Sequence, residues 1–293
     1  MRILILGGDG MLGHQLLNSY HEQHEVAITL RRDRGDYSSQ LLDRAAQTYL
    51  GVDVRSTDRL AELFSDFQPE AVINAVGIIK QRDEAKASIP SLEINSLLPH
   101  RLSVLCKMVG ARFVQMSTDC VFSGKKGNYA EDDFPDADDL YGRSKYLGEV
   151  HDAHCITLRS SIIGLELSRN KSLIEWFLAQ KGQIKGFTRA IYSGLTTQEM
   201  ARVIEDLLLN QQELSGVWQV ASRTISKYDL LTMLADRLQR ADISIDADDS
   251  FLCDRSLDGS RFEKAVGYQM ASWEKMVTDL VEQIKQREEG KTA

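Results

Sequence analysis

Proline is scarce in this chain, 4 in 293 residues, and no low-complexity tract interrupts it, which argues against long disordered segments. Cysteine is scarce too. Cys106, Cys120, Cys155 and Cys253 are widely spaced, with no C-x-x-C pair and no disulfide-dense pattern, and this usage points to the cytoplasm. Long apolar runs are missing. The opening run Ile3–Leu6 stops at Gly7-Gly8, too short for a signal peptide core, and no later run reaches the roughly eighteen residues of a membrane span. No long Lys/Arg run occurs, and 35 basic against 43 acidic residues leave a net charge of −8. A nucleic acid polymer and a membrane are therefore poor partners. An anionic small molecule fits only where positive charge is local. The absence of a G-x-S-x-G turn and of a Walker lysine argues against hydrolase and kinase chemistry.

What is present is a rhythm. Hydrophobic residues are 43% and charged residues 27%, an ordinary globular balance. Up to about residue 160, short apolar runs alternate with helical patterns. Strands are predicted at 3–6, 26–30, 51–54, 71–75, 112–116 and 156–158. Helices are predicted at 11–20, after the capping Ser56, at 92–109 and at 140–150. Apolar strands alternating with helices predict a Rossmann-type, doubly wound parallel sheet covered on both faces. Beyond residue 160 helices dominate (173–180, 196–210, 227–239 and 272–286), with short strands at 216–220 and 243–245. The expected organisation is a dinucleotide-binding domain over 1–160 and a smaller, mainly helical substrate lobe over 161–293, whose segments interleave with the first domain where the chain returns. The tryptophans Trp176, Trp218 and Trp273 sit on apolar patterns and read as core.

The strand at 3–6 runs into Gly7-Gly8-Asp9-Gly10-Met11-Leu12-Gly13 and then a helix. This G-x-x-G-x-x-G spacing gives a tight turn, a close backbone approach to a pyrophosphate and close packing of helix on strand. Gly7, Gly10, Met11, Leu12 and Gly13 are the expected phosphate cradle. The next strand ends at Leu30-Arg31-Arg32. An acid there would hold the ribose 2′-hydroxyl of NAD; Arg31 and Arg32 instead favour the 2′-phosphate of NADP, with NAD left open. Asp53 and Val54 are candidates for the adenine edge. Ala75, Val76 and Gly77 put small residues where the cofactor would pass.

Tyr141-Gly142-Arg143-Ser144-Lys145 opens a helix, so the tyrosine and lysine share a face. Alone the pair means little. Ser117-Thr118-Asp119, however, ends the fifth strand at the carboxyl edge where ligands bind. Tyr141, Lys145 and Thr118 together form a hydride-transfer set. Lys145 lowers the tyrosine pKa and holds a ribose, Tyr141 gives a proton to the developing alkoxide, and Thr118 positions the carbonyl. Thr118, Asp119 and Tyr141 are the candidate substrate contacts, with the stretches 160–169 and 189–197, Ile162 among them, expected to line the substrate side. His151 and His154 have no further ligand nearby, and no metal site is expected.

These residues carry a resemblance to the extended short-chain dehydrogenase/reductases, and within them to the dTDP-4-dehydrorhamnose reductase group, from Met1 to about Leu280. Its most specific piece is Ser117-Thr118-Asp119-Cys120-Val121-Phe122-Ser123-Gly124, then Tyr129, Glu131, Asp133 and Pro135, then Tyr141-Gly142-Arg143-Ser144-Lys145 and Gly148-Glu149. Asn95, Ser256-Leu257-Asp258 and Trp273 match further family positions. The resemblance implies NADPH-dependent reduction of a 4-keto group on a nucleotide-activated 6-deoxysugar, in the synthesis of polysaccharide precursors. It also leaves a homodimer open. Cys120 stands where the family has tyrosine, and Ile162 where the reductase has a tryptophan that packs on the sugar nucleotide. Both departures leave the reaction class intact and the sugar and base open. A 4,6-dehydratase would carry Glu in place of Cys120. A sugar-nucleotide epimerase is a second reading. A third is a catalytically silent NADP-binding regulatory subunit, as in the β subunit of methionine adenosyltransferase.

Overall fold

The crossovers of the first half build a sheet around β1 (Arg2–Leu6), whose last four residues are fully buried. The computed structural model describes residues 1–79, 87–168 and 171–292. After β1 come β2 (Glu25–Thr29), β3 (Gln47–Tyr49), β4 (Ala71–Asn74), β5 (Arg112–Met116) and β6 (Cys155–Arg159). The second half carries β7 (Ile162–Ile163), β8 (Gly182–Phe187), β9 (Ala190–Tyr192), β10 (Leu195–Thr196), β11 (Gly216–Gln219), β12 (Ile225–Ser226), β13 (Ile243–Asp248) and β14 (Cys253–Asp254). The main sheet has seven strands in the order β11-β6-β5-β4-β1-β2-β3, and every pairing is parallel.

Helices cover both faces, as a sheet of near-continuous apolar strands requires. They are α1 (Met11–Tyr20), α2 (Ser39–Arg44), α3 (Thr57–Phe67), α4 (Ser88–Ser91), α5 (Leu98–Val109), α6 (Leu140–Leu147), α7 (Leu173–Leu178), α8 (Thr197–Asn210), α9 (Lys227–Arg237), α10 (Ser260–Val266) and α11 (Trp273–Thr292). Strand alternation sorts the core. Ile3, Ile5 and Ile73 meet Leu12, Leu16 and Leu17 of α1, Met200 and Ile204 of α8, and Met276 and Leu280 of α11. Leu4, Leu6 and Val72 point the other way, to Leu60 and Phe64 of α3 and Leu102 and Leu105 of α5. The order reverses between β1 and β4, so the crevice at their carboxyl ends is the topological switch point.

Three sequence expectations need correction. The third strand is Gln47–Tyr49, not residues 51–54. Thr48 and its neighbours pair with β2, whereas Gly51 takes a left-handed φ of 63° that turns the chain out of the sheet. Val52 and Val54 are apolar because they are buried in that turn. The helix predicted from residue 92 begins at Ser88 and passes through a π-helical stretch, Leu92–Leu97, before α5. Pro99 has no N–H to donate just beyond it, so the regular ladder is broken there. Trp218 and Trp273 are core, but Trp176 is 39% exposed.

The chain after residue 160 threads back. β11 extends the main sheet beside β6, and Tyr20 on α1 donates its hydroxyl proton to the Ala201 carbonyl at 2.6 Å. The remainder adds small sheets to its helices: β7 with β10, β9 between β12 and β14, and β8 parallel to β13. Among the described residues, no helix is long and apolar enough to cross a membrane.

Candidate active site

The glycine turn is built by exclusion. Gly7 has φ 82°, and a methyl group on Gly13 would run into the Gly7 carbonyl. Helix α1 can therefore start against the strand end. Its N-cap, Gly10, offers no side-chain acceptor, and its first turn holds no acid. The N–H groups and the positive end of the helix dipole at the start of α1 suit a phosphate. Gly7, Gly10, Arg31, Asp53, Val54, Ala75, Val76 and Gly77 line a cavity of about 250 Å³. Gly13 lies behind the turn and lines neither this cavity nor the next one. Arg32 also lines neither; its backbone N–H donates to the Tyr37 hydroxyl at 3.0 Å. The Asp53 carboxylate is gripped by Arg55 through bonds of 2.6 to 3.1 Å, which holds its pKa below the ordinary value.

Through Gly10, Ala75, Val76, Gly77 and Ile78 this cavity adjoins a larger cleft of about 480 Å³. Met11, Leu12, Thr118, Asp119, Tyr141, Lys145 and Ile162 all line the larger cleft. The structure thus brings together residues from β5, α6, the glycine turn and the segment after β6. From the stretches predicted at 160–169 and 189–197, Ser160 to Ile163, Glu166 and Ala190 to Tyr192 line it; Arg169 lies outside the described residues.

Local packing explains how α6 delivers Tyr141 and Lys145. Asp139 caps the helix by accepting from the Gly142 N–H at 2.8 Å. A side chain on Gly142 would meet the Cys120 carbonyl, so glycine lets α6 press on the turn that follows Thr118. Asn95, in the π-helical stretch, accepts from the Ile78 N–H at 2.9 Å and donates to the Ile78 carbonyl at 3.0 Å and to Ser144 Oγ at 3.1 Å. It ties the segment after β4 to α6. Below the cleft, Glu149 accepts two bonds of 2.8 Å from Arg159 and one of 2.7 Å from Ser117. This buried fork locks β5, β6 and the end of α6 together.

The electrostatics differ from the sequence expectation at one point. Tyr141 is pushed above its ordinary pKa, chiefly by burial, with Cys120, Asp119 and Asp139 adding to it and a Thr118 hydrogen bond opposing. Lys145 was expected to lower that pKa. Its ammonium instead donates to the Met116 carbonyl at 2.6 Å, and burial sets the direction at Tyr141. Burial also brings Lys145 itself down to about 8, against the pull of Glu149. The Cys120 thiol is pushed up to about 12, mainly by burial and then by Asp119, so it stays protonated at neutral pH.

Several cleft residues escaped the sequence reading: Lys227 at the start of α9, Cys253 of β14, and Arg255 just after it. Lys227 opens a predicted helix, but Cys253 and Arg255 lie between predicted elements, and nothing in the local sequence places any of the three in the cleft.

The sequence matches the RmlD substrate binding domain over residues 1–286. The chain belongs to this family. The family match bears out the resemblance read from the Ser117–Gly124 and Tyr141–Lys145 segments. Among RmlD-type relatives, the dTDP-4-dehydrorhamnose reductase of Burkholderia thailandensis is 27% identical over 215 residues, 70% of this chain and 59% of that protein. The methionine adenosyltransferase 2 subunit beta of Rattus norvegicus is 26% identical over 152 residues, 50% of this chain but only 41% of that protein. The crystal structure of dTDP-4-dehydrorhamnose reductase from Bacillus anthracis, in complex with NADP, superposes with a TM-score of 0.76 at 20% identity, covering 95% of this chain and 98% of that one. That likeness establishes the Rossmann-type fold with its C-terminal lobe.

Proposed function

We propose that this protein is an NAD(P)-dependent oxidoreductase that prefers NADPH and reduces a 4-keto group on a nucleotide-activated 6-deoxysugar. One observation carries the reading: Thr118, Tyr141 and Lys145 converge on a cleft continuous with the glycine turn. The glycine cradle, the uncapped α1 N-terminus and Arg31 fit a dinucleotide phosphate, and Lys145 would hold its ribose. When bound, the cofactor supplies a hydride. Thr118 orients the keto oxygen toward Tyr141. The Tyr141 hydroxyl gives its proton to that oxygen as negative charge develops there, and its burial holds the proton on the phenol until then. Burial also keeps water away from the reacting carbonyl.

The test is to incubate the protein with NADPH or NADH and a panel of dTDP- and UDP-linked 4-keto-6-deoxysugars, identifying products by mass and NMR. Cofactor oxidation coupled to a 4-hydroxy product supports the reading; epimerised sugar without net oxidation of the cofactor replaces it with an epimerase. The likeness to the methionine adenosyltransferase subunit favours a second reading, a non-catalytic NADP-binding subunit. NADPH binding with no turnover on any keto-sugar supports that one.

A further inference from the structure

Beyond the hydride-transfer set, the cleft holds a thiol and an amine that the reduction does not use, those of Cys120 and Lys227. Cys120 follows Thr118 by two residues, and its backbone N–H donates to Thr118 Oγ1 at 3.2 Å. The Thr118 hydroxyl also lies within hydrogen-bonding reach of both the Cys120 thiol and the Tyr141 hydroxyl. A keto oxygen held at Thr118 and Tyr141 therefore brings the carbons on either side of the carbonyl beside that thiol. Lys227 arrives from another part of the fold, the first turn of α9. Its nitrogen lies 4.3 Å from the centroid of the Tyr192 ring, and among the described residues no group accepts a hydrogen bond from it. Asp119, Cys120 and Cys253 act on it through their field, and burial favours its neutral form against all three. Two other ionisable groups face the thiol. Arg255 is held on the Phe122 and Ser123 carbonyls at 2.9 and 3.4 Å, and a guanidinium does not give up its proton. Asp119 is engaged by the Thr118 hydroxyl at 3.1 Å.

We infer that Cys120 and Lys227 are an acid–base pair for a carbon next to the keto group, so that the cleft inverts that carbon in the keto-sugar it reduces. The inference rests on the 4-keto-sugar reading above and adds an activity to it. A ketone makes the C–H bonds beside it acidic, and the group that serves the reduction serves here too. The Lys227 amine takes the proton. The electron pair of the C–H bond forms a C=C bond while the carbonyl electrons move to oxygen, and the enolate oxygen accepts a hydrogen bond from Tyr141. The Cys120 thiol, kept protonated by burial, gives its proton to the carbon from the other face as the C=O bond re-forms. The thiolate then recovers a proton from the Lys227 ammonium, directly or through water, and the pair is restored. Nothing is oxidised or reduced, so the step is distinct from an epimerisation that borrows hydride from a cofactor. Inversion needs removal on one face and delivery on the other, which two groups from separate elements suit better than one.

The experiment incubates the protein in D2O with a panel of dTDP- and UDP-linked 4-keto-6-deoxysugars, once with NADP+ and once with NADPH. Mass and proton NMR read deuterium and configuration at the carbons beside the keto group, against a control without protein. The parent is expected to exchange one such proton and to yield sugar inverted at that carbon. Lys227→Met should lower both exchange and inversion by about 10²–10⁴. Cys120→Ser should lower inversion at least about tenfold and exchange much less, because Lys227 can still return a deuteron to the face it came from; this split carries the test if Lys227→Met fails to fold. Reduced sugar free of deuterium at both neighbouring carbons overturns the inference and leaves the reductase reading standing. Exchange at the parent rate in Lys227→Met gives the proton to another base, Asp119 first, and overturns it as well. Exchange with inversion but no net NADPH oxidation keeps the pair and rejects the reductase. Neither exchange nor reduction on any member of the panel removes both.

Discussion

Replacing Lys145 by methionine should make the protein more stable while removing its activity. The side chain is 6% exposed, and burial lowers its pKa from 10.5 to about 8. That lowering corresponds to about 3 kcal/mol of penalty on the charged form in the folded state. Methionine fills much of the aliphatic stem without the charge. Part of the gain is lost with the Nζ bond to the Met116 carbonyl, but that oxygen also accepts from Gln115 Nε2 at 2.9 Å and is not orphaned. The expected net gain is about 1–2 kcal/mol at neutral pH, read as a higher urea midpoint at unchanged m-value in protein free of cofactor. The sign of the pH dependence follows from the direction of the shift. Between pH 8 and 10.5 the unfolded chain still holds the lysine proton while the folded chain has released it, so the parent gains stability as pH rises. The advantage of Lys145→Met is therefore full below pH 8 and fades toward pH 10.5. A variant less stable than the parent at pH 7, or a gap that does not narrow with pH, refutes the reasoning.

Tyr141→Phe removes only a hydroxyl, so turnover on a keto-sugar should fall by about 10²–10⁴ while NADPH affinity, measured by fluorescence titration, stays within a fewfold. Replacing Arg31 and Arg32 together by alanine should weaken NADPH at least about tenfold and NADH little; because Arg31 alone lines the cavity, Arg31→Ala should account for most of the loss. Glu149→Ala strands the Arg159 guanidinium, whose side chain is 5% exposed, and should cost about 3–5 kcal/mol in urea unfolding.

Much of the fold can be read because its strands obey two plain rules. Buried parallel strands are marked by unbroken apolar runs such as 3–6 and 71–73, and α1 and β5 keep their predicted bounds. The strand Gln47–Tyr49 escapes because it borders only β2, is half-buried and spells polar residues, while the more apolar Val52 and Val54 advertise a strand that the left-handed Gly51 prevents. The short strands of the second half escape for a related reason. With two or three residues each, β7, β9, β10, β12 and β14 take their pairing from tertiary contact, and no periodicity can develop over that length.

The site divides along the same line. The glycine turn, Thr118 and the Tyr141–Lys145 pair are legible because each lies within one strand-to-helix unit, where spacing dictates geometry. The pKa of Tyr141 is not, because it depends on how deep α6 seats against Cys120 and on which carbonyl takes the Lys145 ammonium. Lys227 and Arg255 are further still from any local pattern. One begins a helix and the other follows a two-residue strand, and they share the cleft only because β9 lies between β12 and β14 in one small sheet. A chain of net charge −8 can still place Lys227 and Arg255 in a cleft, since the field there is set by the few groups that face it and bulk charge is screened over about 10 Å. The residues of the proposed reduction thus lie in local motifs, whereas Lys227 and Arg255 reach the same cleft from separate segments.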